Sequence, residues 1–382
     1  MIYLDHSATT PLAPEVFEKM KPWLTQEFGN ATSIYAAGQR ARNAIESARR
    51  TVAKILFCKP EEIIFTSGGT ESDNLALRGV LRTNTDGHAV ISKIEHHAIL
   101  RTAEDLAKDG FSFTKIGVDK SGKFKTEQIE KALQPNTKLV SIMLANNEIG
   151  VIEPVREIGK MLQKKHPDIL LHTDAVQAGG ILNIDVQHLK VDLLSLSGHK
   201  FYGPKGIGIL FVRNGVKLRP TQTGGTQEHK RRAGTENVAV IVGFAEALKI
   251  ANMRREKESA RLKKLRDYFI RRVLTEIPQS QLNGHAIDRL PGNTHFSFYG
   301  IEGESILLRL DLAGIAASSG SACTSGSLDP SHVLTALKLN HKWLHSSIRF
   351  TLGRSTKKRD INRTVIEMKK IVNDLRSISP LM

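Results

Sequence analysis

Short apolar runs alternate with amphipathic stretches from about residue 38 to residue 212. Apolar residues that recur every three or four positions predict helices, and short continuous apolar runs predict buried strands. The predicted helices are 38–56, 73–81, 98–109, 126–134 and 154–165, and the predicted strands are 62–66, 89–92, 139–144, 170–173, 191–196 and 207–212. Strands that alternate with helices favour an α/β fold with a mostly parallel sheet and helices on both faces.

The organisation of the chain changes beyond residue 250. An apolar helix is predicted over 237–250, and it continues over 251–277 as a heavily charged helix. A further amphipathic helix is predicted over 359–378. We expect a domain boundary where the long helix changes character, near 253–262. The predicted large domain spans 15–258, and the predicted smaller α+β domain combines 1–14 with 259–382.

Composition and charge indicate which kinds of molecule the protein could bind. The 382 residues are 40% hydrophobic and 25% charged, which is ordinary for a soluble globular protein. No apolar run is long enough to span a membrane, and the N-terminus does not have the pattern of a signal peptide, so we expect a cytoplasmic protein. The net charge of +16 suggests an anionic partner. The densest basic run, 254–272, predicts a solvated helix face without interleaved stacking residues, so direct nucleic-acid binding is not expected.

Polar side chains follow successive predicted strands at the end where each strand finishes. In an open parallel sheet the carboxyl ends of the strands lie along one edge, where ligands bind. The residues concerned are Glu95-His96-His97, Asn146-Asn147-Glu148, Asp174 with Gln177, and His199-Lys200. Their recurrence at the same end of four strands predicts one shared site.

The residue types at this edge suit a phosphorylated pyridine aldehyde. A lysine amine of lowered pKa can form a Schiff base with an aldehyde, and Lys200 lies between small residues at a strand end. The turn at Gly69-Thr70 opens a helix and could hold a phosphate. Asp174 could keep a pyridine nitrogen protonated, His96 could stack on the ring, and Gln177 could donate to a ring hydroxyl. Taken singly, Lys200 could be a surface lysine and Asp174 a helix N-cap.

Several segments together resemble the cysteine desulfurases of the NifS/IscS type, which belong to the class V aminotransferase family of pyridoxal-phosphate (PLP) enzymes. The resemblance covers residues 2 to 381 and implies a PLP-dependent transferase of fold type I. The segments are Tyr3-Leu4-Asp5, Ala8-Thr9-Thr10, Phe28-Gly29-Asn30, Thr66 to Asn74, Asn146 to Gly150, His172 to Gln177, Ser197-Gly198-His199-Lys200 and Ser318 to Cys323.

The resemblance also implies a role for each matching residue. Lys200 would form the Schiff base, His96 would stack on the ring and shuttle protons, Asp174 would pair with the ring nitrogen, and Gln177 with the ring hydroxyl. Gly69, Thr70, Ser197 and His199 would hold the phosphate, and Thr235 would reach the phosphate of the partner subunit in a homodimer. Asn147 would contact the coenzyme and, with Arg349, clamp the carboxylate of the substrate L-cysteine.

The two cysteines have different settings. Cys58 ends an apolar helix face and is predicted to fill core space, and no Cys/His spacing indicates a metal site. Cys323 lies in the Ser/Gly-rich stretch 318–327, which predicts a mobile loop. In the family this thiol attacks the sulfur of cofactor-bound cysteine and gives a persulfide and alanine. The sulfur would pass to an acceptor protein in iron–sulfur cluster assembly or tRNA thiolation.

Other activities stay open at this point. A selenocysteine lyase, another class V PLP enzyme, or a catalytically inactive binding module on the same fold would share much of the pattern. Ala31, Tyr35 and His6 depart from the usual family residues, which puts the shape of the pocket mouth in question. The chain ends at Met382, whereas housekeeping members continue into a tail that helps dock the scaffold protein. The resemblance therefore implies desulfuration more firmly than it implies a dedicated scaffold interaction.

Overall fold

The computed structural model describes residues 1–319 and 330–379. Twelve helices lie in these ranges: α1 Pro14–Thr25, α2 Ala36–Leu56, α3 Gly69–Leu81, α4 His97–Lys108, α5 Thr126–Ala132, α6 Val155–Lys165, α7 Val186–Leu189, α8 Val238–Glu276, α9 Gly303–Leu312, α10 His332–Ala336, α11 His341–Leu344 and α12 Lys358–Ser377. The twelve strands in the same ranges are β1 Ile2–Tyr3, β2 Ile63–Thr66, β3 His88–Ser92, β4 Ser112–Ile116, β5 Thr137–Ser141, β6 Leu170–Asp174, β7 Leu193–Ser197, β8 Gly208–Val212, β9 Ser280–Leu282, β10 Asn293–Phe298, β11 Ile315–Ala316 and β12 Ser347–Thr351.

Seven strands form the central sheet in the order β2-β8-β7-β6-β5-β3-β4. The pairs from β7 through β6, β5 and β3 to β4 are parallel, and β8 is antiparallel to both of its neighbours. The predicted α/β class and mostly parallel sheet are therefore confirmed. All six predicted strands are present, and their carboxyl ends position the residues singled out in the sequence.

The predicted strand over 139–144 ends earlier than expected, at Ser141. The apolar run does continue to Leu144, whose N–H still donates to the carbonyl of Asp174 at 2.9 Å. The N–H of Met143, however, donates to the Glu95 carboxyl at 3.0 Å. A side chain has replaced a backbone partner, which ends the ladder beside the site.

Helix α8 links two buried clusters of apolar side chains. Its first half, up to Ala251, packs into the cluster around the central sheet, and its second half, from Leu262, packs into a separate cluster with Phe296 and Phe350. Leu4 from the N-terminal segment belongs to the second cluster. These clusters are compatible with the predicted division at 258/259, which stays a prediction.

Several elements were not predicted from the pattern. They include α1, α9 to α11, the edge strand β4, and the antiparallel sheet in the order β12-β10-β9. The short pair β1-β11 brings the N-terminus beside Ile315 and Ala316, far along the chain. None of the helices in the part of the chain that the structure covers has the length and apolar character needed to cross a bilayer.

Candidate active site

A pocket of about 400 Å³ lies at the carboxyl ends of the parallel strands. Each predicted site residue except Thr235 and Cys323 lines it. These residues are Gly69, Thr70, His96, Asn147, Asp174, Gln177, Ser197, His199, Lys200 and Arg349, and the pocket is completed by Ser7, Ala8, Asp73, Met143 and Val176. Residues spread over the chain from Ser7 to Arg349 therefore meet in one place.

The two remaining candidates are not in this pocket. Thr235 is exposed in the segment before α8 and is not among the described residues that line the pocket. Its expected role concerns a partner subunit, so that role stays a prediction. Cys323 lies within 320–329, outside the described residues.

One end of the pocket forms a cradle at the start of α3. An adjoining space of about 440 Å³ shares Ala8, Gly69, Thr70, Ser197 and His199 with the pocket. Helix α3 begins at Gly69 and its N-cap residue, Gly68, has no side chain, so the first-turn N–H groups face this space without a side-chain cap. A Cβ at Gly69 would lie 2.7 Å from Val176 Cγ2, so only glycine allows this close approach.

Ionic and hydrogen bonds fix the groups around the cradle. Arg232 Nε donates to Glu71 Oε1 at 2.9 Å, which offsets the carboxylate charge at the cradle. His199 Nδ1 lies 3.1 Å from Thr9 Oγ1. Burial, with the nearby charges of Lys200 and Lys205, lowers the pKa of His199 to about 4, so this ring is neutral at pH 7.

Lys200 follows β7 in a short 3₁₀ turn, Gly198–Lys200. Its Nζ donates to the carbonyl oxygens of Ser7 at 2.6 Å and Ala8 at 2.8 Å. Gln177 Nε2 donates to the same Ser7 carbonyl at 3.1 Å. The N-terminal segment therefore positions two of the predicted site residues, a contribution that the local sequence around Lys200 does not reveal.

Asp174 ends β6 with its carboxyl group buried in the wall of the pocket. Burial raises the pKa of Asp174 to about 6, although the Val176 N–H, which donates at 2.9 Å, and the charge of Lys200 both lower it. Asp73 is also buried, and its pKa is raised well above the usual range by burial and by the charge of Asp174. Because the two buried carboxyl groups repel each other when both are ionised, Asp73 and Asp174 together carry one negative charge more readily than two.

A neutral histidine lies beneath this pair of acids. His172 is fully buried, and its two ring nitrogens lie 2.8 Å from Ser141 Oγ and 3.0 Å from Ser195 Oγ. Burial lowers the pKa of His172 to about 3. His172 is therefore hydrogen-bonded through both ring nitrogens while carrying no positive charge.

His96 is the N-cap of α4, and its Nδ1 accepts the Ala98 N–H at 3.1 Å. Burial, Lys200 and the neighbouring histidines lower the pKa of His96 to about 4. The neutral ring therefore carries its proton on Nε2, since Nδ1 is the acceptor. In this state His96 can donate a hydrogen bond to a bound molecule from Nε2.

Arg349 lies in β12 and is 2% exposed. Its Nη1 donates to the Asn147 carbonyl at 2.9 Å, and its Nη2 donates to Asp5 Oδ1 at 2.8 Å. Sequence reasoning missed Asp5 as a site residue. The motif that contains Asp5 was visible, but its pairing with an arginine 344 positions later has no local signal.

The described residues fit PLP. The helix start at Gly69 provides N–H groups and a cradle for a phosphate, and Asp174 provides a buried carboxyl that a protonated pyridine nitrogen would neutralise. Lys200 provides an amine in the same pocket, and Gln177 an amide donor beside it.

Residues 2–364 match the family model described as Aminotransferase class-V. The chain is 52% identical over 381 residues to a cysteine desulfurase IscS of Dictyoglomus turgidum, with 99% of this chain and 96% of that protein covered. It is 49% identical over 382 residues to a cysteine desulfurase IscS of Methanosarcina thermophila, with 100% and 94% covered. A solved structure of a NifS-like protein superimposes with a TM-score of 0.92 at 34% identity, covering 98% of this chain and 100% of that one.

Proposed function

The chain belongs to the class V aminotransferase family and is a PLP-dependent cysteine desulfurase, and from this premise we propose how its residues divide the reaction. The reaction takes the sulfur from L-cysteine and leaves L-alanine. The observation that carries the proposal is the convergence of ten predicted residues on a single pocket of about 400 Å³.

Residues that line the pocket hold the coenzyme. When bound, PLP supplies an aldehyde that takes up the substrate amine and a ring that withdraws electrons from it. Lys200 holds the aldehyde, and Asp174 keeps a proton on the ring nitrogen. Gly69, Thr70, Ser197 and His199 hold the phosphate. His96 stacks on the ring, while Gln177 and Asn147 contact its polar edge.

Arg349, Asn147 and His96 act on the substrate. Arg349 binds the cysteine carboxylate with its planar guanidinium, and Asn147 helps to enclose it. Arg349 is already oriented by Asp5 and by the Asn147 carbonyl, so the guanidinium has little conformational freedom to lose on binding. His96 acts as a proton shuttle: it passes a proton to the substrate carbon from which sulfur departs and takes one up in exchange, so its ring ends neutral.

Cys323 takes the sulfur from the substrate. The Cys323 thiolate attacks the substrate sulfur, a new S–S bond forms as the C–S bond breaks, and the electron pair left on carbon takes a proton to give alanine. Cys58 is a poor alternative, because burial raises the pKa of its thiol to about 12 and it packs against the core. The assignment to Cys323 rests on sequence, since that residue lies outside the structure's described ranges.

The protein acts as an assembly of two subunits and delivers its sulfur to an acceptor protein. We expect a cytoplasmic homodimer in which exposed Thr235 contacts the coenzyme phosphate of the partner subunit. The sulfur acceptor is a protein of iron–sulfur cluster assembly or of tRNA thiolation. The name of the IscS relatives supports the first of these acceptors.

A pair of cysteine variants tests the proposal. Cys323→Ala should bind PLP with an unchanged visible absorbance band but release no sulfide from cysteine. Cys58→Ala is the matched control and should turn over normally. Sulfide release from Cys323→Ala at the wild-type rate, or its loss in Cys58→Ala alone, would contradict the assignment of the nucleophile.

A further inference from the structure

A second cleft, of about 740 Å³, lies on the outer side of α4. Adjacent residues line the two spaces, since His96 lines the coenzyme pocket and His97 lines the cleft. None of the residues that line this cleft belongs to the proposed catalytic set. We call it the basic cleft, after Lys93, Arg101, Lys115 and Lys338 on its rim.

The rim carries more positive than negative charge. All four cations are exposed, and Glu104 is the only carboxylate among the described lining residues. Glu104 pairs with Arg101 at 2.7 Å and with Lys115 at 3.6 Å. Within residues 1–319 and 330–379, Lys93 and Lys338 form no ion pair. Their charges are therefore available to an anionic partner.

The histidines of the cleft do not add to this charge at neutral pH. The rings of His97 and His332 lie 4.7 Å apart between centroids. Burial lowers the pKa of both, and their closeness lowers that of His97 further. The positive character of the cleft thus comes from the lysines and Arg101.

The floor of the cleft is apolar. Leu100 and Val118 are each 8% exposed, and Ala336 is half-buried beside them. An apolar floor under a basic rim fits a peptide segment that carries both acidic and aliphatic side chains. Nucleic acid fits less well, because no Phe, Tyr or Trp is among the lining residues that the structure describes.

The cleft lies close along the chain to the proposed nucleophile. Pro330 lines the cleft, and Cys323 precedes it by seven residues. Covalent geometry limits their Cα atoms to about 25 Å of separation. The wall that follows Pro330 is tied to the site, since Ser331 Oγ donates to Glu148 Oε2 at 2.5 Å and His332 Nε2 lies 2.9 Å from the Glu95 carbonyl.

We propose that the basic cleft receives an acidic, partly aliphatic segment of the protein that accepts sulfur from Cys323. The inference rests on the proposed persulfide at Cys323 and adds the chemistry that recognises the acceptor. In the transfer step an acceptor thiolate attacks the outer sulfur of the persulfide. The existing S–S bond breaks, a new S–S bond forms on the acceptor, and Cys323 leaves as a thiolate, so no external oxidant is needed.

A charge-reversal experiment tests the proposal. The probe is a fluorescent synthetic peptide made of glutamate and leucine with a single cysteine. The test variant is Lys93→Glu/Lys338→Glu. The matched control is Lys160→Glu/Lys164→Glu, which makes the same charge change at exposed positions on α6 that do not line the cleft. Peptide binding is measured by anisotropy, transfer by radiolabelled sulfur from cysteine, and basal turnover by alanine formed with a small thiol reductant.

We expect the test variant to lose about tenfold or more in peptide binding and sulfur transfer, because each reversed charge replaces an attraction with a repulsion. The control should lose less than about twofold by the same reasoning. Both variants should form alanine at the wild-type rate. Equal losses in the two variants, unchanged transfer in the test variant, or an RNA oligonucleotide that binds the cleft in place of the peptide would each overturn the proposal.

Basal turnover distinguishes a failure of the proposed function from a failure of the proposed role of the cleft. A wild-type protein that forms no alanine from cysteine would overturn the proposed function, and this inference with it. If alanine forms at the normal rate but sulfur transfer to the peptide does not depend on the charges at Lys93 and Lys338, only the proposed role of the cleft is wrong.

Discussion

Adjacent residues, His96 and His97, line the coenzyme pocket and the basic cleft, but the acidic groups of the pocket are buried and the charged groups of the cleft are exposed. In the pocket, Asp73 and Asp174 are 1% and 6% exposed, and burial shifts their protonation. In the cleft, the side chains of Arg101 and Glu104 are 72% and 43% exposed. Burial changes the pKa of a charged group and so sets its protonation state at the site. Exposed charges attract a partner through their summed charge, and salt screens that attraction.

The contrast between buried and exposed charges predicts that two ion pairs contribute very differently to the stability of the protein. Arg49 and Glu228 form a buried pair with two contacts of 2.8 Å, and Glu228 also accepts the Phe65 N–H at 2.9 Å. Glu228→Ala should lower the free energy of unfolding by about 3–5 kcal/mol, because it removes the carboxylate that makes both short contacts with a buried guanidinium. Among the described residues, the remaining carboxylate partner of Arg49 is Glu46, at 3.4 Å. Glu104→Ala removes an exposed partner and should cost less than about 1 kcal/mol.

Urea unfolding followed by circular dichroism at one protein concentration measures both changes. Similar losses for the two variants would contradict the contrast between buried and exposed charge.

The pH dependence of coenzyme binding tests the buried acid directly. The pKa of Asp174 is raised to about 6 from about 3.9 in an unfolded chain, so protonation stabilises the coenzyme-free fold. That contribution is fully present below about pH 4 and is lost as the pH rises through 6. PLP needs the carboxylate, so its affinity should fall about tenfold per pH unit below 6.

Asp174→Asn is the control for this measurement, because its side chain does not titrate. PLP affinity measured by absorbance should be weaker in this variant and should lose the Asp174 component of the pH dependence. An identical pH profile in wild type and variant would show that another group is responsible.

A smaller effect is expected at the substrate end of the pocket. Asp5→Asn keeps an acceptor for Arg349 but removes the charge that offsets its buried guanidinium. The KM for cysteine should rise about three- to tenfold with a smaller change in kcat, since charged hydrogen bonds contribute roughly 1.5–3 kcal/mol and one acceptor remains. Asp105→Asn, at an exposed partner of Arg78, is the matched control and should leave both constants unchanged. A fall in kcat without a change in KM would instead place Asp5 in the chemical step.

The sequence predicted the sheet well because buried parallel strands are apolar throughout and alternate with amphipathic helices. The buried face of α2, for example, follows the expected spacing through Ala41, Ile45, Ala48 and Val52. Short elements such as β11 and α11 escaped prediction because a few residues carry no periodicity. Their positions depend on tertiary contacts.

The pocket was predictable where residues follow strands, as His96, Asp174 and Lys200 do. It was not predictable where distant segments meet. The carbonyls of Ser7 and Ala8 hold Lys200 Nζ, and Asp5 holds Arg349, through hydrogen bonds between residues far apart in the chain. The basic cleft was missed for the same reason, because Lys93 and Lys338 are 245 positions apart in the sequence.

The most direct test of the account is to reduce the holoenzyme with borohydride and locate the tag by peptide mass spectrometry. The account predicts a pyridoxyl group on Lys200, because that amine lies in the pocket with Asp174 and His96. A tag on any other lysine, or none on a protein that carries PLP, would contradict it.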